Sequence, residues 1–278
     1  MFARKHLLFL LHAVICGLHV VAGLALPAAG EQSDFVSHNE NLERLAQLEP
    51  RAPFAGGIPL RIMPLGASIT FGVASSDGNG YRKTLRDGIV AQGNQVNFVG
   101  SHPNGTMEDN ENEGWPGYVI TQIHDKSRAF VPQCQPNVFL VNAGTNDCIQ
   151  DIDIPETSIR IASMMEDMYK QSPRATVILS TLLPNAQQAT EQRVETVNNQ
   201  YRKLVMDLQL RGKRIVLAEM RGSNGVVIGD IGPDGVHPND TGYKKMSAIW
   251  LDAISRAAAK GYLRRPEDNG LPDNGATA

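Results

Sequence analysis

The segment PLGASITFG, residues 64–72, closes a short apolar run on Gly66, presents a single hydroxyl at Ser68 and turns at Gly72. The run it closes, Leu60–Leu65, is the first of five β-type stretches; the others are Gln95–Val99, Asn137–Val141, Ala175–Leu182 and Arg214–Ala218. Between them lie stretches of helical periodicity at Gly80–Ala91, Tyr118–Phe130, Pro155–Gln171, Thr190–Leu210 and Asp240–Lys260. Strands that read as continuous apolar runs and alternate with helices predict a parallel sheet covered on both faces. The expectation is an α/β fold in one domain, residues 58–262. In such sheets ligands gather beyond the carboxyl ends of the strands, which is where Ser68 falls. A serine there has two readings, a helix cap or a nucleophile, and the segment alone does not separate them.

Composition sets the outer limits. Of the 278 residues, 42% are hydrophobic and 20% charged, ordinary values for a globular chain with a real core. Arg4, Lys5 and His6 precede an apolar run from Leu7 to Leu26, with small residues at Ala25, Ala28 and Ala29. That layout predicts a cleaved signal peptide over residues 1–30 rather than a membrane anchor, and hence a secreted, extracellular protein. Without residues 1–30 the net charge moves from −3 to −5, because Arg4 and Lys5 leave and no acidic residue does. Such a surface does not draw nucleic acid or anionic lipid, so the expected partner is a neutral or weakly charged small molecule or polymer, with no membrane contact after cleavage and a monomer assumed. Residues 31–57 read as a polar leader and linker, and 263–278, rich in Pro, Asp, Asn and Gly, as a disordered tail. Sequons at Asn104 and Asn239 fit export and a glycoprotein. The apolar run Val138–Val141 lies between Cys134 and Cys148, and a strand of that length holds its ends roughly 20 Å apart. The two thiols are therefore expected to be buried and unpaired.

A serine nucleophile needs a base. Outside the first 57 residues the histidines are His102, His124 and His237. His124 falls within a helical stretch, where packing or surface exposure is the plain reading, and His102 sits in a loop after the second strand. His237 is better placed: Asp234 precedes it by three residues in IGPDGVHPND, in a turn shaped by Pro233, Gly235 and Pro238. A carboxylate at that spacing reaches Nδ1–H, fixes the tautomer and turns Nε2 towards a hydroxyl. Asn146, in VNAGTNDC after the central strand, offers a carboxamide donor at the same edge. Gly117, in NEGWPGYVI, offers a backbone N–H, and Trp115 is either a substrate-lining or a packing ring. The acidic run EDNENE does not complete a calcium-binding loop, because Ile120 stands twelfth from Asp109.

Taken together, Gly66-Ala67-Ser68, the glycine block NEGWPG, GTND and D-x-x-H resemble the SGNH (GDSL-type) hydrolases over roughly residues 58–262. The phrases PLGASIT, NAGTND and DGVHPNDTGY look most like secreted carbohydrate esterases of family 3, the acetyl xylan esterase type. The resemblance implies a flavodoxin-like three-layer α/β/α sandwich with a five-stranded parallel sheet of order 2-1-3-4-5. It also implies metal-independent ester hydrolysis with no cofactor, short-chain acetyl esters on a polysaccharide as substrate, Ser68 as nucleophile, His237 as base and Asp234 as its orienting group. The oxyanion donors it implies are Ser68 N–H, Gly117 N–H and the Asn146 side chain, with Gly114 as the fallback glycine. One departure stands out: Ala67 occupies the position where the family usually carries aspartate. Three alternatives remain open: a lipid-directed esterase, a silent carbohydrate-binding homologue, and a flavodoxin-like nucleotide binder. The last lacks any glycine-rich phosphate loop after the first strand.

Overall fold

The computed structural model describes residues 52–275; the expected signal peptide and most of the leader lie outside them. Strand β1 (Leu60–Gly66), every residue of it buried, is the axis of the sheet. On one side it pairs in parallel with β5 (Val138–Asn142), in register from Ile62 opposite Val138 to Gly66 opposite Asn142. Beyond β5 come β6 (Thr176–Ser180) and β7 (Ile215–Ala218), also parallel. The other side of β1 is shared. Its start pairs with β2 (Val96–Phe98) and its end with β4 (Glu111–Gly114), which in turn pairs antiparallel with β3 (His102–Pro103).

The sheet is therefore mixed and seven-stranded, in the order β3-β4-β1-β5-β6-β7 with β2 also on β1, and not the five-stranded parallel sheet of order 2-1-3-4-5. The extra strands escape a hydrophobic reading because β4 is ENEG. It is held by polar groups that the fold satisfies internally: Asn112 Oδ1 accepts Gly114 N–H at 2.9 Å, and Glu113 accepts Ser101 N–H at 2.8 Å. The divided edge also explains a proline inside a central strand. Ile62 O and Gly66 O accept from Val99 and Trp115 on this side, so Pro64, in phase with both, turns its missing N–H towards the gap between β2 and β4.

Successive residues of each strand enter opposite cores. Leu60, Ile62, Val138, Leu140 and Ile178 face α2 (Arg82–Ala91) and α7 (Asp240–Ala259), with Trp250 fully buried among them. Met63, Leu65, Phe139, Val141 and Val177 face α3 (Ile120–Cys134), α5 (Thr157–Gln171) and α6 (Gln188–Leu210). Two single-helix insertions, α1 (Ser68–Phe71) and α4 (Thr145–Gln150), follow β1 and β5 directly. Cys134 and Cys148 are buried and unpaired. Among the described residues, no helix is long and apolar enough to cross a membrane.

The segment after α7 corrects the expectation of a disordered tail as far as Gly275. It runs along the ends where the strands begin. Asn137 Nδ2 donates to Arg264 O, Asn97 Nδ2 to Pro272 O, and the buried Arg61 guanidinium to Glu267 O. Leu271 packs against the core. Polar composition predicts solvation only when the backbone lacks partners, and here buried side chains supply them.

Candidate active site

The site is assembled at the carboxyl ends of β1, β4 and β5. Gly66 ends β1 against β5 so closely that a Cβ would lie 2.1 Å from Asn142 O, which leaves only glycine there. The chain then turns through Ala67 into α1, with Ser68 as its first residue, and Gly72 closes the turn at φ 98°. Phe71 N–H is the first to bond back, to Ala67 O, so the Ser68 amide has no acceptor within the helix. The Ser68 side chain caps nothing. Its Oγ lies 2.8 Å from His237 Nε2.

His237 comes from the loop before α7, bound by Gly232 N–H to His237 O at 2.7 Å and by Ala186 N–H to Gly235 O at 2.9 Å. Asp234 Oδ1 accepts the N–H groups of Val236 and His237, while Oδ2 lies 2.7 Å from His237 Nδ1. With Asp234 ionised, Nδ1 carries the proton and Nε2 accepts from the Ser68 hydroxyl. Burial pulls the Asp234 pKa upward. The N–H groups of His237 and Val236 and the imidazole outweigh it, holding the carboxyl below its ordinary range.

Asn146 lies in α4, beyond Gly144 at φ 116°. Its Nδ2 donates to Tyr118 O at 2.8 Å, which uses one of the two amide hydrogens. Asp147 is fully buried, accepting Ile120 N–H on Oδ2 at 3.0 Å and Arg160 Nη2 on Oδ1 at 3.2 Å. Gly117, at φ 83°, has open space around its Cα, and its N–H makes no hydrogen bond among the described residues. Gly114 is different: its N–H is taken by Asn112, and a Cβ there would lie 2.5 Å from Phe71 N.

The Trp115 ring is engaged by the protein itself. Nε1 donates to Glu113 Oε1 at 2.8 Å, His102 meets the ring edge-on, Tyr118 stacks at 5.5 Å and Lys126 Nζ lies 4.3 Å from the ring centre. This favours the packing reading over substrate lining. His102 Nε2 donates to Gly114 O at 2.7 Å, and His124 joins Asp167 and Arg128 away from the site. Asn104 spends its amide on Phe71 O and Gly78 O, and Asn239 caps α7 through Gly242 N–H. Sequence reasoning missed Arg82, whose buried guanidinium donates to the carbonyls of Phe71, Gly78, Asn104 and Asn110. It also missed the part played by Asp147, for which only adjacency to Asn146 offered a signal. Among the described residues, no group of three His, Cys, Asp or Glu side chains is placed to hold a metal ion.

A serine hydroxyl bonded to an imidazole that is itself bonded to a carboxylate, here on the rim of an α/β sheet, is an arrangement that can activate a hydroxyl for nucleophilic attack. The chain belongs to the GDSL-like lipase/acylhydrolase family, whose model matches residues 65–245, and so to the SGNH-type carboxylic ester hydrolases. Its fold is similar to a family 3 carbohydrate esterase of Clostridium thermocellum (TM-score 0.64, 22% identity, 73% of this chain and 98% of that one). It is similar too to a family 3 carbohydrate esterase from Talaromyces cellulolyticus (TM-score 0.63, 23% identity, 72% and 99%). In sequence it is 25% identical over 244 residues to a multidomain esterase of Ruminococcus flavefaciens, covering 77% of this chain but 30% of that protein's length.

Proposed function

We propose that this protein is a secreted serine esterase that removes short acyl groups, acetyl above all, from plant cell-wall polysaccharide such as acetylated xylan. The observation that carries the reading is the continuous chain Ser68 Oγ, His237 Nε2, His237 Nδ1, Asp234 Oδ2, with steps of 2.8 and 2.7 Å. Ser68 attacks the ester carbonyl as His237 takes its proton, and Asp234 stabilises the imidazolium. The oxyanion is met by the N–H groups of Ser68 and Gly117 and by the free amide hydrogen of Asn146. His237 then protonates the leaving alcohol, and activates water to release the acid from the acyl-enzyme. Trp115 supports the Gly117 segment in this scheme. Similarity to family 3 carbohydrate esterases supports a sugar-borne ester. A glycan on Asn239, two residues past His237, would crowd the cleft, and we infer that this sequon stays unmodified.

Ser68→Ala decides the matter. Hydrolysis of p-nitrophenyl acetate falls to near background and labelling by a fluorophosphonate is lost; turnover close to wild type refutes the assignment. A chain-length series from acetate to palmitate, run beside acetate release from acetylated xylan, pectin and chitin, separates a carbohydrate esterase from a lipid-directed one.

A further inference from the structure

The two donors proposed outside the nucleophile turn come from separate places. Gly117 lies in the loop between β4 and α3, and Asn146 lies in α4, after the next strand. The structure ties these segments together twice within a few residues. Asn146 Nδ2 donates to Tyr118 O at 2.8 Å, and Ile120 N–H donates to Asp147 Oδ2 at 3.0 Å. The residues flanking Gly117 on its helical side are thus fastened to Asn146 and its neighbour.

The second fastening is unusual in origin. Ile120 is the first residue of α3, so its N–H has no acceptor within the helix, and Val119 before it carries no side-chain acceptor. The acceptor comes instead from Asp147, 27 residues further on. Arg160 fixes Asp147 in turn. The guanidinium donates to Asp147 Oδ1, Ile152 O, Asp153 O and Thr157 Oγ1, gripping the turn after α4 and the start of α5. With its two oxygens so occupied and no exposure to solvent, the carboxylate has no freedom to swing.

Resting on the reading of Gly117 and Asn146 as oxyanion donors, we propose that Asp147, locked by Arg160, is a positioning residue that sets the spacing between them. Donors of this kind act only at hydrogen-bond distance from the developing charge, and a displacement of about 1 Å costs up to about a hundredfold in rate. Asp147 touches neither substrate nor nucleophile; its effect passes through Ile120 and α4.

The test compares D147A, D147N and I120P with wild type on p-nitrophenyl acetate, counting competent sites by the endpoint of fluorophosphonate labelling. I120P removes the N–H while leaving the Asp147–Arg160 pair, at the first helical position, where proline is tolerated. D147A and I120P are each expected to lower kcat per labelled site about ten- to a hundredfold, with KM within about twofold and the pH profile in place. D147N keeps one acceptor for Ile120 but turns an NH2 towards Arg160, so it recovers only part of that loss. In an N146A background, D147A adds much less than it does alone, because the donor it positions is already gone. Wild-type kcat per labelled site in I120P or in D147A overturns the proposal, as does full additivity with N146A. If D147A does not fold, I120P decides alone. Normal kcat in N146A itself points to a different failure, that of the donor assignment.

Discussion

Two aspartates, Asp234 and Asp147, stand in the candidate site under opposite conditions. Asp234 stands on a loop with its side chain 46% exposed, three residues from the ring it orients; Asp147 is fully buried, and its partners are 27 and 13 residues away. Burial is the largest influence on both carboxyls. At Asp234, hydrogen bonds from the loop's own backbone and from His237 overcome it, and the pKa falls. At Asp147, burial prevails over Ile120 and Arg160, and the pKa rises. The solvated carboxylate is stable by itself and aims a neighbour. The buried one depends on its cation: removing one partner of a buried pair leaves a charge without solvation.

The contrast is broken most severely on the Asp234 side. His237→Ala is expected to lower kcat/KM for p-nitrophenyl acetate by about ten-thousandfold or more, with the thermal transition little changed, since the ring is partly exposed and contributes little to either core. Asn146→Ala comes next, lowering kcat by about a hundred- to a thousandfold with KM nearly constant. On the Asp147 side the larger effect is on stability. Arg160→Met should cost about 3 kcal/mol in urea unfolding, whereas Asp234→Asn should lower the urea midpoint at neutral pH only slightly, by the modest stabilisation its depressed pKa represents.

The smallest effect lies in acid. A depressed folded pKa means that Asp234 stabilises the fold fully above the ordinary aspartate value of 3.8, and that this contribution is lost as pH falls through the lower folded value. Asp234→Asn should therefore flatten the acid limb of a Tm-against-pH curve below about pH 4. An unchanged limb would show that the loop bonds do not discriminate between the charged and neutral carboxyl.

Legibility in the sequence followed the same division between local and distant. The strands β1, β5, β6 and β7 announce themselves because they are buried on both faces and so run apolar throughout. Strand β4 does not, since Asn112 and Glu113 are buried through partners that lie elsewhere in the chain. That is why the sheet was expected to be smaller and wholly parallel. In the site, Asp234 and His237 share one turn, so their spacing carries the geometry in itself. The tie from Asp147 to Ile120 carries none, because it exists only once β5 lies beside β1. The stretch from Arg264 to Gly275 misleads for a related reason: the side chains that hold it, Arg61, Asn97 and Asn137, belong to strands or their flanks far upstream.

That last stretch has a practical consequence. It is moored where the strands start, whereas Ser68 and His237 meet where β1 ends, about 20 Å away along a seven-residue strand. A linker or immobilising tether grafted after Gly275 would leave from the far side of the sheet, with the pair Ser68 and His237 left facing away from it.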